Sequence, residues 1–88
     1  MSSNSNDRDL DVIGLKCPLP VLRAQKALRS MTPGSVLTIR ATDPVSTVDF
    51  PHFCNESGNE LLETRKEEDV LVFRIRKSGM PADPSITS

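Results

Sequence analysis

Gly14-Leu15-Lys16-Cys17-Pro18-Leu19-Pro20 lies where a short alternating apolar pattern ends and a helical one begins. Upstream, Leu10 and Val12 alternate with Asp9 and Asp11, which predicts a strand with one buried face, and Gly14 lets the chain turn. Downstream, Pro18 and Pro20 suit the first turn of a helix, where a missing N–H breaks no hydrogen bond and φ is already near the helical value. Val21, Ala24, Ala27, Leu28 and Met31 then share one arc of that helix. Arg23, Lys26 and Arg29 take the other side, and Leu22 sits off the apolar arc beside Cys17. Cys17 is thus a thiol at a helix start. Unpaired amides and the positive end of the helix dipole favour an anion there, so a readily ionised thiol is expected, opposed only by any burial beneath Leu19 or Leu22.

Working outward, Thr32-Pro33-Gly34-Ser35 stops the first helix and Val36-Leu37-Thr38-Ile39-Arg40-Ala41 predicts a β-branched strand. After the break at Thr42-Asp43-Pro44, Ser46 or Thr47 is placed to cap a second helix, with Asp49 at capping-box spacing from Ser46. Pro51 is expected within the first turn, Phe50, Phe53, Cys54 and Ser57 on one face, and Gly58 at the end. Leu61-Leu62-Glu63-Thr64-Arg65 and Val70-Leu71-Val72-Phe73-Arg74-Ile75-Arg76, joined by Lys66-Glu67-Glu68-Asp69, predict a hairpin. Leu71, Phe73 and Ile75 would face the helices, with Arg74 and Arg76 turned away. The order βαβαββ predicts an α/β two-layer sandwich: a mixed four-stranded sheet, both helices on one face, and a right-handed first crossover. Residues 1–8 and 78–88 are expected to be flexible segments flanking a folded domain at 9–77.

Composition sets the limits. The chain has 88 residues and a formal net charge of -1, enough for one modest core and none to spare for a second catalytic domain. That balance excludes indiscriminate nucleic-acid binding, and direct nucleic-acid contact is not expected. Residues 1–7 hold no basic region followed by an apolar run, so no signal peptide is expected, and no apolar stretch reaches membrane-spanning length. Two cysteines are few for a secreted disulfide scaffold, which favours a reduced, cytoplasmic setting.

Few catalytic groups are available. His52 is the one histidine, and with Cys17 and Cys54 on separate elements it forms no close-spaced ligand pair, so no metal is expected. There is no Gly-rich phosphate loop and no Cys-x-x-Cys pair, and no cofactor is expected. Single-thiol chemistry remains, with Cys17 as the nucleophile, Lys16 and Leu19 beside it, and Cys54 in the core. An exposed lone thiol can carry a group between enzymes as a persulfide or a thioester. Two other readings stay open on the residues alone. One is a non-catalytic binding or regulatory module in which Cys17 is structural and the basic helix face meets a partner. The other is a thiol redox protein acting through mixed disulfides or a Cys17–Cys54 bond.

At these residues the chain resembles the TusA/SirA family of small sulfur carriers. Cys17-Pro18-Leu19-Pro20 is similar to the family's Cys-Pro-x-Pro signature. The likeness continues through Met31-Thr32-Pro33-Gly34, Asp43-Pro44, Asp49-Phe50-Pro51 and Phe53-Cys54, spanning about residues 9–77. The resemblance implies a two-layer sandwich, a persulfide on Cys17, a loop fixed by Pro18 and Pro20, and structural roles for Asp43, Asp49 and Pro51. It also implies a sulfur donor of the cysteine desulfurase or rhodanese-like kind and a downstream acceptor protein, with a mobile monomer as the expected form. One branch of the family serves 2-thiolation of the wobble uridine in transfer RNA and commonly has glutamate where this chain has Leu19. Leucine makes the surroundings of the thiol more apolar and so bears on the partner rather than on the chemistry. Arg23 and Lys26 are candidates for steering an acidic patch of a partner toward Cys17.

Overall fold

The computed structural model describes residues 7–78. Six elements follow one another: β1 (Arg8–Val12), α1 (Leu19–Arg29), β2 (Val36–Ala41), α2 (Ser46–Ser57), β3 (Glu60–Glu67) and β4 (Val70–Arg76). They form one four-stranded sheet in the order β1-β2-β4-β3. β1 and β2 run parallel, as a strand–helix–strand crossover requires, and the other two pairings are antiparallel. This is the expected α/β sandwich. The expectations for residues 1–6 and 79–88 fall outside the described residues, and β1 begins at Arg8.

Alternation decides which face of the sheet is covered. Leu37, Ile39 and Ala41 of β2 and Leu71, Phe73 and Ile75 of β4 are buried beneath the helices. From above, α1 contributes Ala24 and Leu28, Met31 follows just after it, and α2 contributes Phe50 and Cys54. The centre of the core is the tilted contact of Phe50 on Phe73, with ring centroids 4.7 Å apart. On the open face Val72 is nonetheless buried, flanked in register by Arg40 and Arg65, whose aliphatic stems can shelter it.

Three local expectations are corrected. The hairpin connection is two residues rather than four, because Lys66 and Glu67 pair with Leu71 and Val70 and leave only Glu68 and Asp69 to turn. Glu68 takes φ 60, the left-handed backbone that such a tight turn needs. The second helix has no side-chain cap. Its cap position is Val45, and the amides of Ser46, Thr47 and Val48 are satisfied by the carbonyls three residues back, so Ser46 is buried rather than capping. Pro51 lies inside α2, past its first turn. The hydrogen bond it cannot give would have gone to Thr47, and both residues are exposed, where water can serve that carbonyl.

The parallel β1–β2 ladder places the ends of both strands, and therefore the starts of both helices, at one pole. The opposite pole is closed by the ends of the described chain. Asp7 Oδ1 accepts the Val36 N–H at 2.8 Å, and Lys77 exchanges backbone hydrogen bonds with Gly34 and Ser35 while its Nζ donates to the Leu28 carbonyl at the end of α1. Phe50→Ala is expected to cost about 3–5 kcal/mol, because the Phe73 ring would face a void. Urea denaturation should show a lower midpoint at unchanged slope. Val48→Ser, at a position 67% exposed, should shift stability by no more than about 0.5 kcal/mol.

Candidate functional site

Cys17 sits in the loop that carries the chain from β1 into α1. Gly14, at φ 87, turns the strand end, and its N–H donates to Thr42 Oγ1 at 2.9 Å. The Cys17 N–H donates to Asp43 Oδ2 at 2.6 Å, while Asp43 Oδ1 accepts the Val45 N–H at 3.2 Å. One carboxylate therefore ties the thiol loop to the start of α2. Pro18 is the cap position of α1, the Cys17–Pro18 peptide is cis, and Pro20 is buried in the first turn.

The Cys17 thiol is exposed and its Sγ donates to Asp49 Oδ2 at 2.8 Å. This hydrogen bond, then partial desolvation, then the negative charges of Asp49 and Asp43 push the thiol above its ordinary value. The sequence sets a helix start that favours the anion against burial that opposes it, and the two carboxylates add to the opposing side. Several amides of the helix start are also taken. The one on Cys17 goes to Asp43, the one on Leu19 goes to the Lys16 carbonyl at 2.9 Å, and Pro18 and Pro20 have none. The prolines that fix the loop also remove two of the donors that could have cradled an anion.

Leu19 and Leu22, in the first turn of α1, are both near half exposed, as expected for Leu22. Ile13 just after β1, and Val45 and Val48 at the start of α2, are further exposed apolar side chains at this pole, which sequence periodicity did not indicate because they lie on segments far from α1 in the chain. A groove of about 590 Å³ runs from Cys17 between the helices, with Pro18, Val21 and Gln25 on one wall and Asp49, His52, Phe53 and Glu56 on the other. Lys16 is exposed in the loop, and Arg23 and Lys26 are exposed on α1 without lining the groove. Asp49, assigned only a structural role from sequence, is the residue that meets the sulfur. The signal for it was its place four residues before Phe53, on the stripe of α2 that faces α1.

Cys54 is a free, buried thiol in the core, and Cys17 is likewise free. Among the described residues no group of three or more His, Cys, Asp and Glu side chains could hold a metal ion, and no helix is long and apolar enough to cross a membrane.

A small α/β sandwich that presents one thiol at the joint of its first strand and first helix is the class this geometry defines. The family model described as Sulfurtransferase TusA matches residues 8–77, and the chain belongs to that family. The chain is 50% identical over 72 residues to the sulfur carrier protein TusA of Allochromatium vinosum, covering 82% of this chain and 95% of that one. Among solved structures it is similar to a SirA-like protein from Desulfitobacterium hafniense. That match has a TM-score of 0.71 at 27% identity and covers 81% of this chain and 97% of the other.

Burial pushes the Cys54 thiol from its ordinary value of 9.0 up to about 11. Because the folded value lies above the unfolded one, this contribution to stability is whole below pH 9.0 and is lost as pH rises through about 11. Denaturation midpoints should therefore fall over that window, less steeply in Cys54→Ala. Native Cys17 should need higher pH for alkylation than the same cysteine in urea-unfolded protein, as peptide mass spectra of timed samples will show.

Proposed function

We propose that the chain carries sulfane sulfur as a persulfide on Cys17, taking it from a donor enzyme and giving it to an acceptor protein. Family membership supports carriage. The observation that carries the assignment to this residue is the exposed Cys17 thiol on a loop pinned by Asp43, with the other thiol buried in the core. In the loading step the Cys17 sulfur, as its thiolate, attacks the outer sulfur of the donor's persulfide. A new S–S bond forms on Sγ, the donor's own S–S bond breaks, and the donor cysteine leaves with that electron pair and takes a proton. Delivery is the same exchange with the roles reversed, so no oxidant or reductant is consumed.

The donor we infer is a cysteine desulfurase or rhodanese-like enzyme, since either presents an enzyme-bound persulfide. The exposed apolar side chains at the Cys17 pole, Ile13, Leu19, Leu22, Val45 and Val48, suit a partner that covers this pole with apolar surface. Leu19, where the transfer-RNA branch of the family commonly has glutamate, is one of these apolar side chains. It favours an acceptor chosen by apolar contact over one chosen by charge at that position.

Incubation with a desulfurase and cysteine should add one reductant-labile sulfur to the wild type and none to Cys17→Ala, by intact mass. Loading of both alike would show that Cys17 is not the acceptor. Arg23→Glu/Lys26→Glu should leave the fold intact and slow transfer from an enzyme donor at low salt, with the difference shrinking as salt rises. Equal low-salt rates would remove those two residues from docking.

A further inference from the structure

Asp49 has an arrangement that neither capping nor ion pairing explains. It occupies the first turn of α2, where an acidic side chain suits the helix dipole, but it caps no amide. Its Oδ2 accepts from Cys17 Sγ at 2.8 Å. Among the described residues no Lys, Arg or His nitrogen lies within ion-pair distance of it. The charged and titratable groups around Cys17 are Lys16 in its own loop, Asp43 from the β2–α2 connection, and Asp49, His52 and Glu56 from α2, whereas the cap residue Pro18 and α1 line the groove with uncharged side chains, Val21 and Gln25 among them. Asp43 is occupied by two backbone amides, and His52 faces Glu56 at 3.6 Å. Asp49 is left as the carboxylate aimed at the sulfur.

Resting on the carrier reading above, we infer that Asp49 is a positioning residue that restrains sulfur exchange at Cys17: it holds the empty thiol as S–H and opposes the charge that returns to Sγ when a persulfide is emptied. When a nucleophile attacks the outer sulfur, a bond forms between them and the Sγ–S bond breaks. Its electron pair stays on Sγ, which becomes a thiolate and then takes a proton from water. That departing charge appears beside the Asp49 carboxylate, so Cys17 is a reluctant leaving group, and a thiol that stays protonated is also a reluctant nucleophile. Both directions are slowed in free solution. A partner that sets an ammonium or guanidinium against Asp49 removes the restraint at the moment of docking.

The test uses the full chain as wild type, Asp49→Asn, Asp49→Ser and Asp43→Asn, with folding checked by circular dichroism. First, the empty proteins are reacted with dipyridyl disulfide across a pH series. Both Asp49 variants should move the Cys17 midpoint to lower pH. At pH 7.5 the rate should rise about three-fold for every pH unit by which the midpoint falls, because the tenfold gain in thiolate is partly offset by weaker nucleophilicity. Asp43→Asn should move it less. Second, proteins loaded with sulfur are treated with cyanide, and thiocyanate should form faster from the Asp49 variants. An unchanged midpoint in folded Asp49 variants, or an equal change in Asp43→Asn, overturns the inference, as does equal or slower release to cyanide. The pH series is made on empty protein and decides the point even where no donor loads Cys17; absence of loading, or loading of Cys17→Ala, would sink the carrier reading alone.

Discussion

Asp43 accepts a backbone N–H from Cys17 through one oxygen and from Val45 through the other, and the rest of the functional pole is arranged around that double contact. The thiol loop follows β1 and the Asp43 turn follows β2, so the parallel pairing of these strands brings the two within reach. Without the carboxylate, the loop before α1 and the entry to α2 would keep packing, the Gly14–Thr42 hydrogen bond and the Cys17–Asp49 contact, but lose the backbone tie between them. With it, the start of α2 is held against the Cys17 loop, and Asp49, one turn further on, is delivered to the sulfur. A hydrogen bond to a charged acceptor is worth more than a neutral one and has a stricter geometry, which suits a contact that must set a distance between two elements.

Much of this was legible in the residues. The fold follows from patterning: alternation in Leu71, Phe73 and Ile75, a helical arc from Val21 to Met31, and turns marked by Pro33-Gly34 and Asp43-Pro44. Cys17 was legible because a Cys-Pro-x-Pro run at a strand-to-helix joint is short and local. What was hidden was whatever depended on two distant segments meeting. Asp49 looks like a capping-box residue when only Ser46 is counted. Only the packing of α2 against α1 turns it toward Cys17. The capping itself failed for a backbone reason, since the Val48 and Asp49 amides that Ser46 would have served both donate to the Val45 carbonyl.

The ionisation of Cys17 shows the same division. A helix start favours an anion only if its amides are free, and local sequence indicates the start but not the fate of each N–H. Here two are missing at prolines, one is spent on Lys16 and one on Asp43, and the Asp49 carboxylate lies against the sulfur. A general rule about helix dipoles was outweighed by two specific residues. The outcome suits an exposed sulfur, because thiolates are the form that reacts with oxidants and stray electrophiles.

Asp7 and Lys77 close the pole opposite Cys17, each bonded to the backbone at the beginning of β2. Seen as a problem of tethering, this means the described chain enters and leaves the sandwich on the side away from Cys17. The unit could be strung within a longer chain, or held on a linker from either end, with the thiol pole still pointing outward. Its reach toward a partner would then be set by the length of the leash rather than by any rearrangement of the fold.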